Sequence, residues 1–194
     1  MPLGKQAKIL TKGQVDAVLG FLSKTRHPER NRVIFLLSAK AGLRAREIAS
    51  LTWRMLTDAD GEIGNVISLQ DKASKGQSGR VIPVNQELRA ALIEWRKRSW
   101  VAVTTFVITT ERAQQTSPQA IVNMFARWYE ALGFHGCSSH SGRRTFITNA
   151  ARRISGVGGS IRDVQLLAGH SNLRTTQRYI DADQDAQKKI VQLI

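Results

Sequence analysis

The sequence predicts an α+β domain that is mostly α-helical, with a small antiparallel sheet of about three strands. Three observations carry this. Apolar residues recur three or four apart through most of the 194 residues, with helix-start and helix-stop residues bounding the runs. Two short stretches with strand-like composition flank a Lys/Gly/Ser turn. Hydrophobic residues make up 42% of the chain and charged residues 23%, enough for one domain with a sizeable core.

The elements follow in order. Thr11 and Gln14 form a capping-box pair ahead of Val15, Val18, Leu19 and Leu22, which share one helical face. Pro28 suits the first turn of a second helix, with Val33, Ile34, Leu36, Leu37 and Ala41 among its apolar residues and Gly42 as its stop. A short helix runs from about Ala45 to Leu51. Asn65 to Gln70 and Gly79 to Val84 read as two strands around the turn Lys72 to Ser78, and Pro83 makes the second an edge strand or marks its end. Asn85 caps a helix that turns Leu88, Leu92 and Trp95 inward, and Thr105 to Thr109 reads as another short strand. Ser117-Pro118 starts a helix that Gly133 stops. A helix from about Ser141 to Ile154 ends near Gly156, Gly158 and Gly159, and Ser160 opens another that closes at Gly169. Ser171 is expected to cap one more, carrying Thr175, Thr176 and Tyr179. Ile190, Val191 and Ile194 recur at helical spacing in the tail.

Composition excludes several classes. The apolar content is too high for a disordered chain. No apolar run approaches the length of a membrane span, and the uncharged stretch Trp100 to Thr110 is too short and too rich in threonine to be one. No export signal is legible, and a single cysteine, Cys137, rules out an internal disulfide framework or a cysteine-based zinc site. The chain therefore reads as a soluble, cytoplasmic domain. Twenty-nine Lys and Arg against fifteen Asp and Glu give a net charge of +14, which points to a polyanionic partner, most often nucleic acid. Between Ser138 and Ile180 the basic residues are seven arginines and no lysine, against one acid, Asp163. Arginine is the residue for planar, two-point recognition of phosphate.

Four separated segments carry residues suited to phosphodiester chemistry. They are Gly42-Leu-Arg44-Ala-Arg-Glu47, Lys75-Gly76 leading into the strand at Arg80, His140-Ser-Gly-Arg143, and Gly169-His170 with Tyr179 nine residues on. Each motif alone is common; together, and in this order, they are specific. On these residues the chain resembles the tyrosine recombinase (phage integrase) family over about Leu10 to Ile180. The resemblance implies that family's catalytic-domain fold. It also implies a site-specific recombinase that cleaves and rejoins double-stranded DNA through a 3′-phosphotyrosyl intermediate, with no cofactor, metal or ATP.

In that reading Tyr179 is the nucleophile. A free tyrosine has a pKa of about 10, so its proton must be taken or its anion stabilised at neutral pH. His140 would serve as general base and His170 would hydrogen-bond the phosphate. Arg44 and Arg143 would hold the non-bridging oxygens, as arginines do in other phosphoryl transfers. Lys75 would protonate the leaving 5′ oxygen; Lys72 competes for that part, but the interval from Lys75 to Pro83 fits the family better. Glu47 would orient its neighbours through a buried hydrogen bond. Arg46, Lys72, Arg80, Arg144, Arg174 and Arg178 are candidate DNA contacts. Taken singly, Arg44 and Glu47 read as a helical ion pair, the histidines as structural, and Tyr179 as core packing. Asp181, Asp183 and Asp185 alternate like a calcium loop, but Ala186 stands where glycine is needed and no closing acid follows.

Three positions depart mildly from the family: Gly142 where leucine is common, Arg144 where histidine is common, and Leu167-Ala168 where a second leucine is commoner. Residues 1–10 are expected to form an arm, 11–181 the catalytic domain, and 182–194 a C-terminal helix that folds back or docks on a neighbouring protomer. The family implies a homo-oligomer on DNA, a tetrameric synapse, that is weakly associated when free. It also implies a further helical DNA-binding domain ahead of this one; an excised domain and a naturally short recombinase both fit. Rival readings are a non-catalytic DNA-binding regulator, a relaxing type IB topoisomerase and a basic RNA-binding protein.

Overall fold

The computed structural model describes residues 6–70, 79–98, 105–111, 113–179 and 191–192. Helix α1 (Lys12–Leu22) begins at the expected capping box, with Thr11 and Gln14 reciprocally bonded. Helix α2 (Pro28–Ala41) is the centre of the molecule: Val33 to Leu37 are buried all round, so neighbours pack on every side of it. Gly42 ends it at φ 66°, a left-handed turn suited to glycine. Helix α3 (Ala45–Ser50) follows, then a 3₁₀ turn, Trp53–Met55.

Strands β1 (Val66–Leu69) and β2 (Arg80–Pro83) pair antiparallel, with Ile67 opposite Ile82 and Leu69 opposite Arg80. The period-two pattern buries Ile67, Leu69 and Ile82 on one face and leaves Val66 and Val81 on the other. The sheet has two strands among the described residues, not three. The segment expected as a strand at 105–109 makes only an isolated bridge, Thr52 to Phe106. Val107 and Ile108 are both buried, so the segment does not alternate, and its partner stretch turns at once into the 3₁₀ helix.

Helix α4 (Gln86–Arg98) starts where Asn85 Oδ1 accepts the Leu88 N–H at 2.9 Å, and helix α5 (Pro118–Ala131) is capped by Ser117. Phe125 on α5 packs between Phe35 and Trp128 in the main core. Helix α6 (Ser141–Arg153) lies against α2, and α7 (Ile161–Ala168) packs on α6. Ile147, Ala151, Val164 and Ala168 make a second, smaller core, onto which Tyr179 packs. Helix α8 (Leu173–Gln177) is capped by Asn172, not Ser171: Asn172 Oδ1 accepts the Arg174 N–H at 2.8 Å. The helix ends before Tyr179, which stands just past its C-terminus. The turn with Lys72 and Lys75 and the tail 180–190 and 193–194, including the alternating aspartates, lie outside the described residues.

Candidate active site

Two glycine-terminated helices build the centre of the site. Gly42 ends α2 and Gly169 ends α7, both with positive φ, so the last carbonyls of each helix turn free of the helical ladder. Arg143, buried on α6, takes one from each. Nη1 donates to Gly42 O at 2.5 Å and Nη2 to Ala168 O at 2.6 Å. A cation between two helix C-termini also meets their negative dipole ends.

Burial lowers the Arg143 guanidinium to about 9, helped by the charges of Arg44 and Arg80 and opposed by Glu47 and Tyr179. Glu47 is the counterion of the cluster. Its carboxylate is buried and accepts from Arg80 at 2.9 and 3.1 Å, from Arg44 Nη1 at 3.0 Å, and from the Arg44 N–H at 2.8 Å. Burial alone would raise its pKa; the Arg80 and Arg44 hydrogen bonds and charges overcome that and hold it below the ordinary range. Arg80, expected at the DNA surface, is instead enclosed. Its side chain is 6% exposed, Nε donates to Leu167 O at 2.9 Å, and the guanidinium lies under Gly169, where an added Cβ would meet Nη1 at 2.8 Å. The signal was in the strand alternation: Arg80 shares the inward face with Ile82.

His170 follows Gly169. Burial and the charges of Arg143, Arg44 and Arg80 push its imidazole down to about 4, so it is neutral at pH 7. Nδ1 lies 2.9 Å from Thr176 Oγ1, and the ring stacks on Tyr179 with centroids 5.8 Å apart. Neither Thr176 nor the two carbonyl acceptors stood out in the sequence.

A cleft of about 280 Å³ adjoins this cluster, lined by Gln6, Ala7, His140, Arg143, Arg144, Thr175, Arg178 and Tyr179. His140 is exposed at the start of α6. Arg144 stands over the Tyr179 ring at 6.0 Å and donates to Ala7 O at 2.9 Å. Arg46, Arg174 and Arg178 are exposed. The structure thus brings together Arg44, Glu47, Arg143, His170 and Tyr179, with His140 on the same cleft as Arg143 and Tyr179. Lys75 and Lys72 lie outside the described residues.

The fold, mostly helical with a small antiparallel sheet, is that of tyrosine recombinase catalytic domains. The crystal structure of XerA recombinase superposes with a TM-score of 0.73 at 21% identity, over 95% of this chain and 64% of that one. The Tn1549 transposon integrase in complex with a circular intermediate DNA gives 0.70 at 20% identity, over 97% of this chain and 66% of that one. The profile of the Phage integrase family matches residues 8–186, and the chain belongs to that family. It is 31% identical over 179 residues to the tyrosine recombinase XerC of Xanthomonas axonopodis pv. citri, covering 92% of this chain and 52% of the relative. It is 29% identical over 174 residues to the tyrosine recombinase XerA of Thermococcus onnurineus, covering 89% and 57%. The chain spans about half the length of these relatives. Among the described residues no helix is long and apolar enough to cross a membrane.

Proposed function

We propose that this chain is the catalytic domain of a site-specific DNA recombinase that breaks and rejoins double-stranded DNA through a phosphotyrosyl link on Tyr179. One observation carries the reading: Arg143, fixed by two helix-end carbonyls, lies beside Arg44, His170 and Tyr179, which arrive from three other segments. Three guanidiniums around a single buried carboxylate leave a positive surplus of two, held in place before any anion arrives. Such a surplus suits a phosphodiester whose charge grows in the pentavalent transition state.

Tyr179 attacks the phosphorus and forms a 3′-phosphotyrosyl ester while the 5′ oxygen leaves. Because the ester keeps the bond energy, rejoining needs no ATP, and the chemistry uses no metal. Arg44 and Arg143 hold the non-bridging oxygens, and His170 donates a further hydrogen bond. His140 takes the phenol proton and Lys75 supplies one to the leaving oxygen. Glu47 and Arg80 keep Arg44 in place. Residues 11–181 form the catalytic unit, which works on DNA in a tetrameric synapse. The named relatives are tyrosine recombinases, which supports the same substrate class here.

The test is covalent capture on a pool of nicked duplexes of randomised sequence. The wild-type chain is expected to yield a protein–DNA adduct, and Tyr179→Phe none, with DNA binding retained. Arg143→Ala is expected to slow cleavage by about a thousandfold or more while changing affinity far less. Adducts formed by Tyr179→Phe would remove the nucleophile assignment.

A further inference from the structure

Thr176 is fully buried in α8 and yet carries a hydroxyl. Its Oγ1 lies 2.9 Å from Nδ1 of His170, and among the described residues no other group hydrogen-bonds it. A hydroxyl both donates and accepts, whereas a neutral imidazole has one N–H and one acceptor nitrogen. If Nδ1 carried the ring proton, it would donate to Oγ1 and leave the buried hydroxyl hydrogen without an acceptor. If Nδ1 is bare, the hydroxyl donates to it and both groups are satisfied.

We propose that Thr176 is a positioning residue that fixes His170 as the Nε2–H tautomer, so that Nε2 presents a hydrogen-bond donor to a non-bridging phosphate oxygen. This rests on the phosphate-binding reading of His170. The choice of nitrogen matters because the ring is neutral. Arg143 from α6, Arg44 from the start of α3 and Arg80 from β2 all bear on it and, with burial, keep a second proton off. A neutral ring in the other tautomer would turn a lone pair, not an N–H, toward the anion. The rest of the residue is already held. The His170 N–H donates to Gln165 O at 3.1 Å, Gln165 Nε2 donates to His170 O at 2.8 Å, and the ring lies on Tyr179 at an interplanar angle of 21°. The proton's location is the remaining variable, and Thr176 sets it.

The test uses the full chain labelled with ¹⁵N, its His170 signals assigned by their loss in His170→Asn. Two-bond ¹H–¹⁵N correlation at pH 7 is expected to give a bare Nδ1 and a protonated Nε2 in the wild type. In Thr176→Val, which keeps the shape and loses the hydroxyl, the pattern is expected to become mixed or inverted. Single-turnover cleavage of the nicked duplex pool should fall about tenfold in Thr176→Val at unchanged DNA affinity, and Thr176→Ser should restore most of it. A wild-type Nδ1–H signal would overturn the proposal, as would wild-type cleavage by a Thr176→Val protein that keeps the wild-type tautomer. If Thr176→Val fails to fold, the wild-type and Thr176→Ser tautomers still decide. The expected tautomer in a wild-type chain that forms no adduct would sink the strand-cleavage reading and not the assignment of the proton.

Discussion

Glu47 is where the charges of the site meet. It satisfies two arginines at once, Arg80 in a two-point pair and Arg44 through side chain and backbone, and its charge also bears on the nearby Arg143. The simple i,i+3 ion pair legible in the sequence exists, but it is one part of a buried network. His170 pays for that network in acid. Its folded value of about 4 lies below the ordinary 6.5, so the unfolded chain takes up a proton first as pH falls. The associated stability is complete above about 6.5 and is lost as pH drops toward about 4. Glu47, held below its ordinary range, acts with the same sign at lower pH. Urea midpoints measured from pH 7 down to 4.5 are expected to fall in the wild type and to fall less in His170→Asn; equal slopes would refute it.

At the scale of elements, close approach of helices decides where the arginine clamp forms. Gly142, where leucine is common in the family, sits against α2: an added Cβ would meet Ser38 Oγ at 2.6 Å and the Ala39 backbone N at 3.2 Å. The departure that looked mild in sequence therefore sets the α2–α6 spacing, and with it the reach from Arg143 to Gly42 O. Gly142→Leu is expected to destabilise the fold by about 1–3 kcal/mol through overpacking. Combining it with Ser38→Ala should recover part of that loss in denaturant unfolding, because the two sites share one contact. Additive effects would mean that α6 moves away as a whole.

Over the whole molecule the net charge is +14, and the arginine-only segment from Ser138 to Ile180 sends Arg143, Arg144 and Arg178 to the cleft. Arg80 is enclosed, while Arg46, Arg174 and Arg178 are exposed and Arg178 lines the cleft. If this domain alone grips about four phosphates, affinity for duplex DNA should fall roughly a hundredfold between about 50 and 200 mM salt. Binding titrations across that range check it; a flat response would argue against a phosphate-gripping surface.

The sequence by itself determined helices α1 to α7 and the ordered motifs that carry Arg44, His140, Arg143, His170 and Tyr179, because capping, periodicity and spacing are local properties of the chain. It placed the α8 cap one residue early and overcounted the sheet, since neighbouring polar residues compete for a cap and short apolar runs do not reveal whether a partner strand continues. Tertiary structure alone decided that Arg143 takes carbonyls 101 and 25 residues away, that Arg80 turns inward to Glu47, and that Thr176 meets His170. Those pairings depend on which helix ends converge, and the energy that selects them comes from burial around α2 and α6 rather than from any spacing along the chain.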